Sequence, residues 1–126
     1  MILVDTSIWI EYFKGNSEYL ILNKLIDDNT LCINDIILSE LIPSINHKKE
    51  MILKDLLYRV TKIPLNIEWK EIIAMQILNL KNGINKVGIP DIIIAQNTIA
   101  NNLELFTQDS HFDLMCNIHG IKMFKK

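Results

Sequence analysis

Cysteine is scarce in this chain, with only Cys32 and Cys116 among its 126 residues. Neither cysteine stands at a metal-binding spacing from the other, or from His47, His111 and His119. We therefore expect no cysteine–histidine metal site. We expect both cysteines to be small buried apolar side chains in a reducing cytoplasm rather than partners in a disulfide.

Long apolar runs are also missing. Runs such as residues 92–95 fall far short of the roughly 20 apolar residues that a membrane span needs. The first five residues, MILVD, contain no basic region and no cleavage site, which predicts a first strand rather than a signal peptide. We therefore expect a cytoplasmic protein without a membrane partner.

The chain also lacks an excess of positive charge. The chain has 13 Lys and Arg residues against 15 Asp and Glu residues, a net charge of −2. Nucleic-acid binding is largely electrostatic and usually needs a basic surface. Residues 48–62 are the local exception, with a net charge of +3. We take Lys48, Lys49 and Arg59 as candidates for contacts with nucleic acid; the alternative is that they belong to a solvated helix face.

The residues that are abundant indicate an ordinary globular protein. Hydrophobic residues make up 49% of the chain and charged residues 22%. A chain of this length corresponds to one domain, and no repeat or linker divides it. We therefore predict a single domain over residues 1–126.

Short apolar runs alternate with helical patterns along the chain. The predicted extended segments are residues 2–4, 30–33, 63–65, 103–107 and 121–124. Strands that alternate with helices favour an α/β fold with a mostly parallel sheet and right-handed crossovers. Ligands bind such sheets at the carboxyl ends of the strands.

The predicted helices lie between these strands. Thr6 or Ser7 caps a first helix that Gly15 stops, and Asn16 or Ser17 begins a second. The next two predicted helices begin at Asp35 and at residue 48, the latter with Met51, Ile52, Leu56 and Leu57 facing inward. Two more begin at Asn66 and at Pro90, which is the first helical position after Gly88 and Ile89.

One of these predicted helices contains a proline. Pro43 removes the hydrogen bond that its nitrogen would make to the Ser39 carbonyl. We therefore expect the helix that begins at Asp35 to kink or break there.

Four acids stand where this fold would bring them together. Asp5 directly follows the first strand, and Asp109 lies just past the strand that ends at Thr107. Asp91 lies in the first turn of a helix, and Glu40 stands among apolar helix residues. Asp5 alone could cap a helix, Asp91 could be a first-turn acid and Asp109 a turn former. Glu40 is the hardest to explain in that way, because an unpaired acid in apolar surroundings costs free energy.

Clustered carboxylates repel one another unless a cation or a proton compensates their charge. No Lys or Arg lies within three residues of any of the four acids. A divalent cation would resolve the conflict, and ligands that are all oxygen atoms favour Mg²⁺ or Mn²⁺ over zinc. The chemistry that fits is hydrolysis of a phosphodiester by activated water.

The segments around these acids carry a family resemblance. They are residues 4–9 (VDTSIW), 38–41 (LSEL), 90–95 (PDIIIA) and 105–109 (LFTQD), followed by Phe112. In this order the chain resembles the PIN-domain family and, within it, the VapC-type toxins of toxin–antitoxin pairs. The resemblance spans nearly the whole chain.

The resemblance implies a three-layer α/β/α fold around a five-stranded, mostly parallel sheet. It implies an endoribonuclease that uses Mg²⁺ or Mn²⁺, forms a homodimer, acts on RNA and is held in check by a small antitoxin. Asp5, Glu40, Asp91 and Asp109 match the family's acidic quartet. Thr6 or Ser7 and Thr107 would orient the acids, Asp113 could substitute for Asp109, and Glu11 receives no role.

Other functions fit less well. Haloacid-dehalogenase-type phosphatases need a second Asp where Ser7 stands, and a response-regulator receiver needs adjacent acids and a late lysine that are absent. The histidines form no catalytic triad pattern. A PIN-like binding or scaffold module without activity stays open as the alternative to the enzyme, and a short upstream gene with a DNA-binding N-terminus would favour the toxin.

Overall fold

The computed structural model describes residues 1–126 and has a five-stranded parallel sheet at its centre. In the sheet the strands lie in the order β3-β2-β1-β4-β5, and every neighbouring pair is parallel. The predicted α/β class is confirmed. The strands are β1 (Ile2–Val4), β2 (Leu31–Ile33), β3 (Thr61–Lys62), β4 (Glu104–Phe106) and β5 (Lys122–Met123).

Seven helices cover the two faces of the sheet. Right-handed crossovers lead outward from β1 to β3 and then back across β1 to β4 and β5, so α1–α4 lie on one face and α5–α7 on the other. Contacts of α3 with α1 and α4, and of α5 with α6 and α7, agree with this division. The helices are α1 (Thr6–Phe13), α2 (Ile21–Asp27), α3 (Asp35–His47), α4 (Met51–Arg59), α5 (Trp69–Lys81), α6 (Ile89–Ala100) and α7 (Ser110–His119), and Ser17–Tyr19 form a short 3-10 helix.

Strands β1 and β2 are apolar throughout, and β4 is apolar after Glu104, because helices cover both of their faces. Leu3 of β1 pairs with Cys32 of β2 and with Leu105 of β4, and all three are fully buried. The buried hydrophobic residues form one contiguous cluster that also includes Trp9 and Phe112. None of the helices has the length and apolar content that crossing a membrane requires.

Helix α3 differs from the prediction. It does not break at Pro43 but continues from Asp35 to His47. Pro43 lies on the exposed face, while Leu41 before it and Ile45 after it are both buried in the core. We attribute the continuity to this packing, which holds the two halves of the helix in line.

Helix α4 also departs from the predicted pattern. It begins at Met51 rather than residue 48, because Lys49 adopts a left-handed conformation (φ 58°) that ends the preceding helix. Leu57 is buried as expected, but Ile52 is 84% exposed and Met51 is 48% exposed. The prediction that Ile52 and Met51 face inward is therefore wrong.

Helix α7 was absent from the sequence prediction. It begins after Asp109, whose carboxylate accepts a hydrogen bond from the His111 backbone N–H at 2.9 Å. It ends at Gly120, which has a φ of 76° that favours glycine. Phe112 and Met115 bury one side of this helix, so a cap, an apolar pair and a terminal glycine were the available signals.

Smaller differences concern element ends and the cysteines. The side chain of Asn34, not Asp35, caps α3 by accepting from the Ile37 N–H at 3.0 Å. Strand β3 precedes the predicted residues 63–65, and α5 begins three residues after Asn66. Both cysteines are free, but only Cys32 is fully buried; Cys116 is partly exposed.

Candidate active site

The site lies where the strand order changes direction. Connections leave β1 toward β2 on one side and enter β4 on the other side of β1, so a crevice opens outside the carboxyl ends of β1 and β4. Asp5 follows β1 at this crevice, and Thr107 follows β4. The register of the two strands sets Val4 beside Phe106, which brings the residues after them together.

Asp5 is the most buried of the four acids, with 6% of its surface exposed. It occupies the residue before α1 but makes no side-chain capping hydrogen bond. Instead its Oδ2 accepts hydrogen bonds from Thr107 Oγ1 at 2.8 Å and from Ser7 Oγ at 3.3 Å. Burial raises the pKa of Asp5, and the hydrogen bond from Thr107 opposes this shift only in part.

The hydroxyl of Thr107 links two of the acids. It donates to Asp5 and accepts from the backbone N–H of Asp109 at 3.0 Å. The hydroxyl of Ser7 in turn accepts from the Gln108 N–H at 3.3 Å. The loop after β4 is thus tied to the start of α1, which fixes where Asp109 stands relative to Asp5.

Glu40 reaches the crevice from α3. The hydroxyl of Thr6 donates to Glu40 Oε1 at 3.2 Å, which ties α3 to the start of α1. Burial raises the pKa of the Glu40 carboxyl, and the negative charges of Asp5 and Asp91 raise it further. Glu40 is therefore close enough to both acids to be repelled by them.

Asp91 comes from the first turn of α6, on the other face of the sheet. Burial raises its pKa most, followed by the charges of Asp109 and Asp5, while His111 lowers it. Asp5, Glu40, Asp91 and Asp109, which the sequence had suggested as one group, thus lie at one edge of the sheet.

His111 also belongs to this cluster, which sequence reasoning had missed. Its Nδ1 lies 3.3 Å from Asp109 Oδ1 and 3.9 Å from Asp91 Oδ2. One ligand atom from each of Asp91, Asp109 and His111 lies within 4.8 Å of the others. The available signal was the position of His111 in the first turn of the helix that Asp109 caps.

Two other acids named in the sequence analysis, Asp113 and Glu11, lie outside the cluster. Asp113 is exposed and is not among the residues whose ligand atoms converge. Glu11 accepts from Asn16 Nδ2 at 3.2 Å and forms an ion pair with Lys14 at 3.7 Å, so its contacts lie outside the cluster.

The three candidate basic residues also differ in position. Lys48 lines a cavity together with Glu40, and Lys49 follows it on the exposed turn after α3. Arg59 lies at the other end of the sheet, in a cavity with Leu31 at the start of β2. Of the three, Lys48 is therefore the one that lines a cavity together with an acid of the cluster.

The donor set fits a divalent cation. The carboxyls of Asp5, Glu40 and Asp91 all have raised pKa values, so their charged forms lack compensation, and the only ion pairs that the four acids make are those with His111. Asp91, Asp109 and His111 could hold the ion, with Asp5 and Glu40 alongside. The imidazole nitrogen of His111 lies among these oxygen atoms, so His111 is a further candidate ligand beside the oxygen ligands that the sequence predicts.

Comparison with known proteins agrees with this fold. The family model described as PIN domain matches residues 2–117. No curated protein matches the chain significantly. Similar solved structures include VapBC2 from Rickettsia felis bound to a promoter DNA fragment (21% identity, 98% of each chain covered, TM-score 0.77). They also include DNA-bound VapBC from Salmonella typhimurium (19%, 98% and 96%, 0.75) and a toxin–antitoxin complex from Klebsiella pneumoniae (22%, 89% and 90%, 0.65).

Proposed function

Because the chain belongs to the PIN-domain family, we propose that it is a metal-dependent endoribonuclease and the toxin of a toxin–antitoxin pair. The observation that carries this proposal is the convergence of Asp5, Glu40, Asp91 and Asp109 at one crevice, with three raised carboxyl pKa values. Clustered acids with perturbed pKa values in a crevice are typical of catalytic sites.

Each residue of the cluster has a distinct part in this proposal. Asp91, Asp109, Asp5 and Glu40, with His111, would hold Mg²⁺ or Mn²⁺. Such an ion lowers the pKa of a water molecule and polarises a phosphoryl oxygen. Thr107 and Ser7 keep the Asp5 carboxylate in one orientation, and Thr6 does the same for Glu40.

The proposed reaction is tested by the ends that it produces. We expect single-stranded or loop RNA to be cut in the presence of Mg²⁺ or Mn²⁺, with 5′-phosphate and 3′-hydroxyl ends, because water attacks the phosphorus. The measurement is cleavage of a mixed RNA pool by the wild type and by Asp5→Asn. Cleavage that survives chelation, or products with 2′,3′-cyclic phosphates, would overturn this mechanism.

The proposed antitoxin would cover the acidic edge. Four acids of which three have raised pKa values attract a guanidinium as readily as a metal ion. Expression of the wild type alone should arrest bacterial growth, whereas expression of Asp5→Asn, or of the wild type together with the proposed antitoxin, should not. If the wild type leaves growth and cellular RNA intact while the purified protein cuts RNA freely, the toxin assignment is wrong.

A second copy of this chain is the other proposed partner. Helix α5 and the start of α6 expose one continuous apolar face, which we call the α5 face. It comprises Trp69 (57% exposed), Ile73 (59%), Ile77 (51%), Leu80 (58%) and Ile89 (45%). At about 100 Å² each, these side chains offer roughly 500 Å², a large part of the ~800 Å² that each partner buries in a standard interface.

The alternative function is a PIN-like binding or scaffold module without activity. A scaffold has no use for a buried Asp5 whose charge is uncompensated, since that charge costs free energy of folding. Absence of RNA cleavage with every divalent ion, together with unchanged RNA binding by Asp5→Asn, would favour the module.

A further inference from the structure

A cavity between α1 and α3 shares a residue with the candidate active site. Glu40, whose Oε1 accepts the Thr6 hydroxyl, also lines this cavity. Phe13 and Lys14, at the end of α1, form one side, and Leu41, Ile45 and Lys48 form the other. A molecule that lies across Glu40 would therefore reach both the acids and this cavity.

The cavity has the size of one aromatic ring system. Its volume is about 200 Å³. A protein cavity of ~150 Å³ holds benzene, whereas sites for drug-sized ligands begin near 300 Å³. The available space therefore exceeds a single six-membered ring and is less than a whole nucleotide needs.

The inner surface of the cavity is apolar and carries an aromatic ring. Phe13, Leu41 and Ile45 are partly or fully buried there. The Phe13 ring packs against the fully buried Trp9, with centroids 5.6 Å apart and an interplanar angle of 30°. This packing holds the ring in place, and a flat π-system is a surface on which a nucleobase can stack.

The rim of the cavity is charged. Lys48 makes no ion pair, whereas Lys14 pairs with Glu11 at 3.7 Å. Glu40 and Glu50 balance the charges of the two lysines. Lysines can pair with the phosphates on either side of a base, and a carboxylate can accept hydrogen bonds from a base amino group. An apolar floor, a stacking ring and the lysine Lys48, which makes no ion pair, together match a nucleotide better than a purely apolar or purely anionic ligand.

We propose that this cavity, lined by Phe13, Lys14, Glu40 and Lys48, is a nucleobase pocket. It receives the base of the RNA nucleotide next to the phosphate that the acids cleave. The proposal rests on the proposed ribonuclease function, and it deepens that function by naming a determinant of base preference. The Phe13 ring and the unpaired Lys48, which can contact a base and a phosphate, favour RNA over a side chain of a protein partner as the occupant.

The test compares two pocket variants with one control. Phe13→Leu removes the stacking ring and keeps an apolar side chain, and Ser44→Leu fills the cavity from an exposed position of α3, so one variant remains informative if the other does not fold. Lys81→Gln is the control for charge, because Lys81 is exposed at the end of α5, on the opposite face of the sheet from the cavity. Lys48→Gln makes the same charge change at the pocket.

Two measurements are made on each protein. The first is cleavage of a randomised RNA pool with Mn²⁺, in which the product ends are sequenced to give the base preference, together with kcat and KM on one RNA. The second is the Kd of a fluorescein-labelled five-nucleotide RNA, with Ca²⁺ in place of Mn²⁺. We expect Phe13→Leu and Ser44→Leu to raise KM and Kd about 10-fold and to flatten the preference at one position, because stacking contributes this order of affinity. Lys48→Gln should raise Kd for all sequences and reduce its salt dependence, and Lys81→Gln should change neither.

The possible outcomes distinguish the pocket proposal from the ribonuclease proposal on which it rests. If the pocket variants keep the wild-type KM, Kd and base preference, the pocket proposal is wrong and the ribonuclease stands. If the wild type binds RNA through the pocket but cuts none, the ribonuclease is wrong and the pocket stands. If the wild type neither binds nor cuts RNA, both are wrong. If the variants weaken only the complex with the co-expressed small partner, the pocket belongs to a protein contact and the proposal is overturned.

Discussion

Thr107 holds together two acids that lie more than 100 residues apart in the sequence. Its hydroxyl donates to Asp5, from the start of the chain, and accepts from the backbone of Asp109. A hydroxyl is the smallest group that can do both at once. The residue therefore matters through hydrogen bonding rather than through volume.

Thr107→Val keeps the shape of this side chain and removes both hydrogen bonds. We expect the pKa of Asp5 to rise further, the free energy of unfolding to fall by about 1–3 kcal/mol and the Kd for Mn²⁺ to increase about 10- to 100-fold. Calorimetric titration measures the Kd for Mn²⁺, and denaturant unfolding measures the free energy of unfolding. Thr61→Val, on an exposed edge strand, is the matched control. Equal Mn²⁺ affinity in both variants would mean that Thr107 does not position the acids.

Asp5→Asn tests the site through stability without substrate. The folded-state pKa values of Asp5, Glu40 and Asp91 are raised, so the metal-free folded protein binds more protons than the unfolded chain. Metal-free stability should therefore fall as the pH rises from the ordinary aspartate value of 3.8 through the raised values, and stay low above them. Removal of one charge by Asp5→Asn should raise the metal-free melting temperature at pH 7 and flatten this decline.

Addition of metal should reverse the difference in melting temperature between the wild type and Asp5→Asn. Mn²⁺ at about 100 times its Kd should stabilise the wild type by roughly 2.7 kcal/mol. The shift for Asp5→Asn should be smaller. If the variant melts below the wild type without metal and responds equally to Mn²⁺, Asp5 has a structural role and the site lies elsewhere.

His111 offers a nitrogen atom beside the carboxylate oxygen atoms of the four acids. If it binds the ion, His111→Gln should weaken Mn²⁺ binding about 10-fold and Mg²⁺ binding much less, because Mg²⁺ prefers oxygen ligands. His47→Gln, at the exposed end of α3, is the control. Equal affinities of His111→Gln and the wild type for Mn²⁺ would show that His111 only neighbours the acids.

At the scale of elements, α3 carries Glu40 to the crevice despite an internal proline. Ser39 donates its hydroxyl to the Asp35 carbonyl at 2.6 Å, but its own carbonyl has no N–H partner at Pro43. Tertiary packing of Leu41 and Ile45 overrides this local defect. The sequence pattern predicts the destabilising effect of Pro43. It could not show that core packing on both sides of the proline would outweigh that effect.

Pro43→Ala measures the size of that defect. We expect the free energy of unfolding to rise by about 1–3 kcal/mol, since an interior proline costs about 3 kcal/mol and its effect on the unfolded chain offsets roughly 1 kcal/mol. Urea unfolding measures the change. Pro64→Ala, outside any helix or strand, is the control and should not stabilise. A fall in stability for Pro43→Ala would mean that α3 needs the geometry that proline gives it.

At the scale of the whole molecule, the α5 face is the largest group of exposed apolar side chains, with four on α5 and Ile89 at the start of α6. The proposed homodimer would cover it. Ile77→Asp places a charge in the middle of this face and should convert a dimer into a monomer in light scattering at micromolar concentration. Ile52→Asp, on the exposed side of α4, is the control and should leave the dimer intact. A wild type that is monomeric under these conditions would remove the homodimer proposal.

The single domain proposed for residues 1–126 belongs to the same scale. The buried hydrophobic residues form one contiguous cluster that includes residues from β1, β2 and β4. One cooperative unfolding transition is therefore expected, with the same midpoint by fluorescence and by circular dichroism.

The sequence by itself determined the α/β class, the parallel sheet and the approximate place of every strand. These features follow from short-range patterns, namely apolar runs of strand length that alternate with helical periods. Asp5 and Asp109 could be placed at one edge because parallel strands end at the same side of a sheet. The PIN-family resemblance also lay in local segments around the acids.

Only the tertiary structure decided which groups meet. The Thr107 link, the place of His111 beside Asp91, and the separation of Lys48 from Arg59 depend on distances across the sheet, and no local pattern encodes them. The same holds for the exposure of Ile52 and the continuity of α3, since packing against residues distant in the sequence sets both. Local residue patterns specify elements, whereas burial and contact are properties of the whole assembled core.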